Sequence, residues 1–133
     1  MSKQFTLGKK ERLKSSNTFE HLFKEGKNFS MPFFRVHYLW IDNAFELKFG
    51  AGASSKSFKK AVERNRIKRL IREAYRLQKN SLKNLLAKKK LGLALFVIYN
   101  GKALPEYNVV YEKMEVILQK LIKIAGEKNP SNT

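Results

Sequence analysis

Phe19, Leu22 and Phe23 stand three and four residues apart, the spacing of one helical face, behind possible caps at Ser15, Ser16 and Asn17 and ahead of a stop at Gly26. That spacing predicts a first helix. Residues 33–41 are aromatic and β-branched, with Phe34, Val36, Tyr38 and Trp40 on one parity and Phe33, Arg35, His37 and Leu39 on the other, which predicts a strand. Beyond the turn signal Asp42-Asn43, Phe45, Leu47 and Phe49 alternate with Glu46 and Lys48, so a second strand is expected to run to residue 53 and to form a hairpin with the first.

A Ser-rich turn (Ser54, Ser55, Ser57) separates these strands from a helical pattern over residues 58–79. At about 100° per residue, Ile67, Leu70, Ile71, Ala74, Tyr75 and Leu77 share one arc and form its core stripe. Leu82, Leu85 and Leu86 add further helix before Lys88-Lys89-Lys90, and residues 93–99 are apolar without alternation, as in a central strand buried on both sides. Pro105 suits the first turn of a last helix, whose stripe of Val110, Met114, Ile117, Leu118, Leu121 and Ile122 closes at Gly126. The expected fold is α+β, a two-layer α/β sandwich of order roughly αβββαβα. One domain is expected over residues 1–126, with a flexible basic arm at about 1–14 and a disordered tail at 127–133.

Composition narrows the chemistry. The 133 residues suffice for one core, and 43% hydrophobic content excludes disorder throughout. Lys and Arg number 28 against 11 Asp and Glu, a formal charge of +17, which points to a polyanionic partner. Cysteine is absent, which excludes disulfides, thiolate metal sites and cysteine nucleophiles and agrees with a reducing compartment. The run at 93–99 is far shorter than the roughly 18 to 20 apolar residues of a membrane span, and residues 1–14 lack the continuous apolar core of a signal peptide. A cytoplasmic protein without a membrane partner is the expectation.

The charge is concentrated. Between Lys56 and Lys79 there are ten basic and two acidic residues, and Asn65, Lys68, Arg69, Arg72, Arg76 and Lys79 lie opposite the core stripe with only Glu73 at their edge. A merely solvated helix gains from opposite charges at i, i+4, whereas this one stacks like charges there. A partner that neutralises the stripe explains the pattern, and the planar fork of arginine suits phosphate oxygens.

Read in order, Ala61-Val62-Glu63-Arg64-Asn65-Arg66-Ile67-Lys68-Arg69-Leu70-Ile71-Arg72-Glu73-Ala74-Tyr75-Arg76 closely resembles the Arg-Asn-Arg helix of the bacterial ribonuclease P protein subunit family. The resemblance covers roughly residues 9–125, including the early helix with Phe19 and Phe23, Gly26, the aromatic strand and the apolar strand before a C-terminal helix. Lys59-Lys60 stand where many relatives have Gly-Asn. The resemblance implies an unusual left-handed βαβ crossover, against the strong right-handed preference. It also implies an accessory subunit that binds a catalytic RNA and aids hydrolytic removal of the 5′ leader from precursor tRNA, the RNA doing the chemistry with Mg²⁺ held mainly by RNA and substrate. Its RNA contacts would be Lys56, Lys59, Lys60, Arg64, Asn65, Arg66, Lys68, Arg69, Arg72 and Arg76. A leader cleft would involve Phe19, Phe23 and Tyr38, with the parity of Phe33, Arg35, His37 and Leu39 as the alternative lining. No protein partner is implied.

The residues themselves offer no protein-only nuclease. Asp42 is the single aspartate and sits in a turn, and the ten glutamates form no evident pair. His21 lies among helical packing residues and His37 in a strand, while Gly50 and Gly52 lack the further glycine or Gly-Lys-Ser/Thr of a nucleotide loop. No catalytic or metal-ligating residue is assigned. The alternative is a structural RNA-binding module such as a ribosomal protein; a membrane-active basic amphipath is disfavoured because the basic helix has little exposed apolar surface.

Overall fold

The computed structural model describes residue 22 and residues 24–41 and 47–127. Its elements are β1 (Lys27–Met31), β2 (Phe34–Ile41), β3 (Leu47–Ala53), α1 (Ala61–Gln78), α2 (Asn80–Lys89), β4 (Gly92–Tyr99) and α3 (Tyr107–Glu127). The fold is α+β, but the described order is βββααβα, which corrects the expected αβββαβα. The predicted first helix falls mostly outside the described residues, although Leu22, Lys24 and Glu25 are helical. The basic helical region is two helices rather than one. α1 packs on β3 and α3, whereas α2 packs on α3, so the chain turns at Lys79, which ends one helix and precedes the next.

The four strands are ordered β1-β2-β4-β3, with β1 and β4 antiparallel to β2 and β3 parallel to β4. The expected β2–β3 hairpin therefore does not form. The most apolar segment, β4, takes the place between them, where both of its edges are paired and the helices cover one of its faces. Its parallel pairing with β3 requires a crossover, which α1 and α2 provide. The real hairpin joins β1 to β2 through Pro32-Phe33, and β1 is a short edge strand in which Phe29 and Met31 lean on the core while Lys27, Asn28 and Ser30 are exposed, too brief an alternation to stand out.

Alternation now assigns the two faces. Phe34, Val36, Leu47, Phe49, Leu93, Leu95 and Val97 face the helices and join Ile67, Ile71, Tyr75, Leu82, Leu86, Met114, Ile117 and Leu121 in one core. The Phe49 and Tyr75 rings stack at 3.8 Å between centroids, tying β3 to α1. Leu22 is fully buried on the opposite face with Ala94, beside Leu39, Ile41 and Phe96. Gly26 donates its N–H to the Leu22 carbonyl (2.9 Å). A side chain there would run into that carbonyl and that of Tyr38, so only glycine lets this segment approach β2 so closely. Pro105 lies just before α3 instead of within its first turn.

Candidate nucleic-acid interface

Helix α1 is amphipathic, and Ile67, Ile71, Ala74 and Tyr75 are its buried residues. The other side carries Asn65, Arg66, Arg69 and Arg72, all exposed, with Lys68 half-buried beside them. Lys56, Lys59 and Lys60 are exposed in the segment leading into the helix. Three of the basic residues in this stretch are engaged within the protein. Arg64 folds back, donating from Nη1 to the carbonyls of Phe58 (2.7 Å) and Lys59 (2.8 Å). These bonds do not cap the helix, since a guanidinium only donates, but they tie the first turn of α1 to the Phe58 and Lys59 carbonyls and hold the basic approach to the helix in shape. Arg76 is engaged by Glu73 through Nε and Nη2, and that hydrogen bond is the main reason its guanidinium is held still more firmly in the charged form. Lys79 is only 1% exposed, so it leaves the stripe altogether. Leu77, assigned to the core by its arc, is instead exposed, because the chain turns two residues later.

The second surface is the sheet face away from the three helices. Arg35, His37 and Leu39 on β2 lie opposite Ile98, Phe96 and Ala94 on β4, and Gly52 and Gly50 on β3 are the next partners of Ile98 and Phe96. Arg35 is exposed, and His37, Phe96 and Ile98 are half-buried. A side chain at Gly52 would meet the Phe96 ring at 3.1 Å, so the glycine leaves room for that ring to lie across β3. Partial burial, and secondarily the neighbouring Arg35 charge, pull the His37 pKa below the ordinary imidazole value. The face therefore combines an arginine, a predominantly neutral imidazole and an aromatic ring.

Tyr38 does not belong to this face. It is 7% exposed on the helix-covered side, with its ring 6.0 Å from Phe29 and 6.3 Å from Trp40, and burial raises its pKa. The assignment of Tyr38 to a cleft is corrected: parity turns it into the core, and the alternative lining of Arg35, His37 and Leu39 faces outward. Phe33, grouped with them by parity, stands in the β1–β2 turn. Phe19 and Phe23 lie outside the described residues, as do His21 and Asp42. Sequence reasoning missed Phe96 and Ile98 because β4 is apolar on both faces, and a half-exposed residue there carries no polar neighbour to betray it.

Among the described residues no group of three or more His, Cys, Asp or Glu side chains could hold a metal ion. No described helix is long and apolar enough to cross a membrane.

Comparison with known proteins adds the following. A family model described as Ribonuclease P matches residues 7–124. The ribonuclease P protein component of Porphyromonas gingivalis strain W83 is 34% identical over 125 residues, covering 92% of this chain and 88% of that protein. The ribonuclease P protein component of Dictyoglomus turgidum is 34% identical over 118 residues, covering 89% and 91%. The solved RNase P protein of Staphylococcus aureus has the same fold, with a TM-score of 0.65 at 23% identity over 83% of this chain and 94% of that one.

Proposed function

The chain belongs to the bacterial ribonuclease P protein component family, and from that premise we propose that α1 and its approach bind the catalytic RNA while the open sheet face receives the single-stranded 5′ leader of precursor tRNA. As a family member it is the accessory subunit of an endoribonuclease that matures tRNA 5′ ends, with the RNA subunit carrying the catalysis. Its partners are that RNA and precursor tRNA. Family membership displaces the ribosomal-protein alternative.

The observation that carries the division of labour is the separation of two chemistries onto two surfaces. Arg66, Lys68, Arg69 and Arg72 on α1, with Lys56, Lys59 and Lys60, present cationic donors around Asn65 and the exposed Val62. This composition grips a phosphate backbone independently of base sequence. Beside the patch covered by Leu22, this face offers the half-buried Phe96 and His37 rings and the exposed Arg35 guanidinium, groups on which unpaired bases stack. Phe19 and Phe23, which lie outside the described residues, stay in this proposal as leader contacts, and Tyr38 does not.

The protein's contribution is binding and orientation. Cationic groups on α1 hold the catalytic RNA, and stacking on the sheet holds a leader that mature tRNA lacks, so the protein favours precursor over product. The described carboxylates gather into no cluster that could hold a metal ion, and Mg²⁺ belongs to the RNA and substrate in this reading. The work is cytoplasmic, in keeping with a chain without cysteine.

Reconstitution tests the proposal. The full chain freed of RNA should leave precursor tRNA uncut and should restore leader removal when the catalytic RNA is added. Phe96→Ala should weaken holoenzyme binding to a long-leader precursor by about 1 to 3 kcal/mol and spare a precursor trimmed of its leader. Equal losses for the two precursors would remove the leader from the open face. Cleavage by protein free of RNA would overturn the accessory role.

A further inference from the structure

Phe33 combines two properties that rarely occur together in a turn residue. Its backbone lies at φ 72°, the left-handed region where glycine or asparagine is comfortable and a bulky side chain is an outlier. The residue is 55% exposed, so packing offsets little of the strain. Pro32 precedes it and Phe34, 1% exposed, follows, giving the Pro and positive-φ pattern of a type II turn with an aromatic ring where glycine is expected. Backbone strain at an exposed, well-held position is a reason to look for a ligand.

The turn is held from outside by the same loops that carry basic residues. Asn100 donates its N–H to the Phe33 carbonyl (2.8 Å), and Ser54 donates to the carbonyl of the adjoining Tyr99 (3.1 Å). Phe58 donates to the Ser54 carbonyl (3.0 Å), and the Phe58 carbonyl accepts from Arg64 at the start of α1. This relay links the hairpin tip to the entrance of the basic helix. Exposed Lys102 follows Asn100 by two residues, and exposed Lys56 follows Ser54 by two.

We propose that Phe33 is a stacking platform for an unpaired nucleobase of RNA, with Lys56 and Lys102 neutralising the phosphates on either side of that base. An exposed aromatic ring, on a turn tied by hydrogen bonds to loops that carry exposed lysines, suits a base and its backbone, and stacking accepts any base. The platform rests on the RNA-binding reading of α1 and extends that interface beyond the helix, around the end of the sheet. The base could come from the catalytic RNA or from the precursor, and the two sources separate experimentally.

The test uses the full chain with Phe33→Gly, Phe33→Asn and Phe33→Tyr, and with Arg69→Ala as a reference. Binding is measured to the catalytic RNA alone and, as holoenzyme, to precursor tRNA. Gly and Asn both suit the left-handed turn, so both variants should melt close to the parent, yet each should lose about 5- to 150-fold in affinity, the equivalent of one base stack. Phe33→Tyr should bind as the parent does. A loss with the catalytic RNA alone assigns the base to that RNA, and a loss confined to the precursor assigns it to the substrate. Parent-like affinity of the Gly and Asn variants in both arms, or an equal loss in the Tyr variant, overturns the platform. If Arg69→Ala weakens catalytic RNA binding while the Phe33 variants keep parent-like affinity in both arms, only the platform falls. If neither does, the wider RNA reading of α1 falls with it.

Discussion

Helices α1 and α3 pack against each other and share a layer, yet their outer surfaces are unlike. Both bury one apolar stripe, Ile67, Ile71, Ala74 and Tyr75 in the first and Val110, Met114, Ile117, Leu118, Leu121 and Ala125 in the second. On their solvent sides α1 carries six basic residues against two acidic, whereas α3 carries three of each. The balanced helix needs nothing beyond water. Along α1, Lys68, Arg72 and Arg76 repeat at i, i+4, each step a small repulsion that folding alone would remove. Glu73 pairs with Arg76 at the end of that row. The buried halves of the two helices explain the fold, and the difference between their outer halves points to the polyanion.

The comparison breaks if the buried halves are not equivalent. Ile71→Ala and Ile117→Ala each remove a side chain that is fully buried in the shared core. Each should destabilise the fold by about 2 to 5 kcal/mol in denaturant unfolding. A near-neutral Ile71→Ala would mean that α1 is held by charge and partner instead of by packing.

A smaller effect sharpens the contrast of the outer halves. Arg69→Ala and Arg72→Ala should weaken binding to the catalytic RNA and reduce its log-log salt slope by roughly 0.7 to 0.9 per lost phosphate contact. Lys123→Ala, on the exposed side of α3, should leave the slope as it is. Equal slopes for all three variants would erase the distinction between the helices.

The smallest effect lies on the open sheet face. Because the His37 pKa is lowered on folding, the native state binds fewer protons than the unfolded one just below the ordinary value of about 6.5. Its contribution to stability is therefore complete above that value and is lost as pH falls through the folded pKa. Leader binding should move the other way, since a nearby phosphate favours the imidazolium. Precursor affinity should rise modestly from pH 8 to pH 6, and His37→Asn should flatten that rise; an unchanged profile would place the leader away from His37.

The basic helix was legible because three signals coincide within it: a 3.6-residue apolar period, charge of one sign and a long family motif. The core stripe of α3 was legible for the first of these reasons. β1 was not, since only Phe29 and Met31 alternate with Asn28 and Ser30, a pattern two apolar residues long on a five-residue edge strand. The two roles of Arg64 and Lys79 were equally hidden. A basic residue in a basic run looks the same whether its head group faces a phosphate, folds back onto the Phe58 and Lys59 carbonyls or, as at Lys79, is buried.

By itself the sequence determined which segments bury apolar surface, that the charge gathers on one helix and which family the chain resembles, because periodicity and motif are local properties of the chain. Only the tertiary structure decided strand order, and with it the interface. Whether β2 pairs with β3 or with β4 depends on which strand is apolar enough to sit at the centre, a competition between segments some fifty residues apart. That pairing set the parity of β2 against the helices, turning Tyr38 into the core and Arg35 and His37 outward, since neighbouring strand positions face opposite sides.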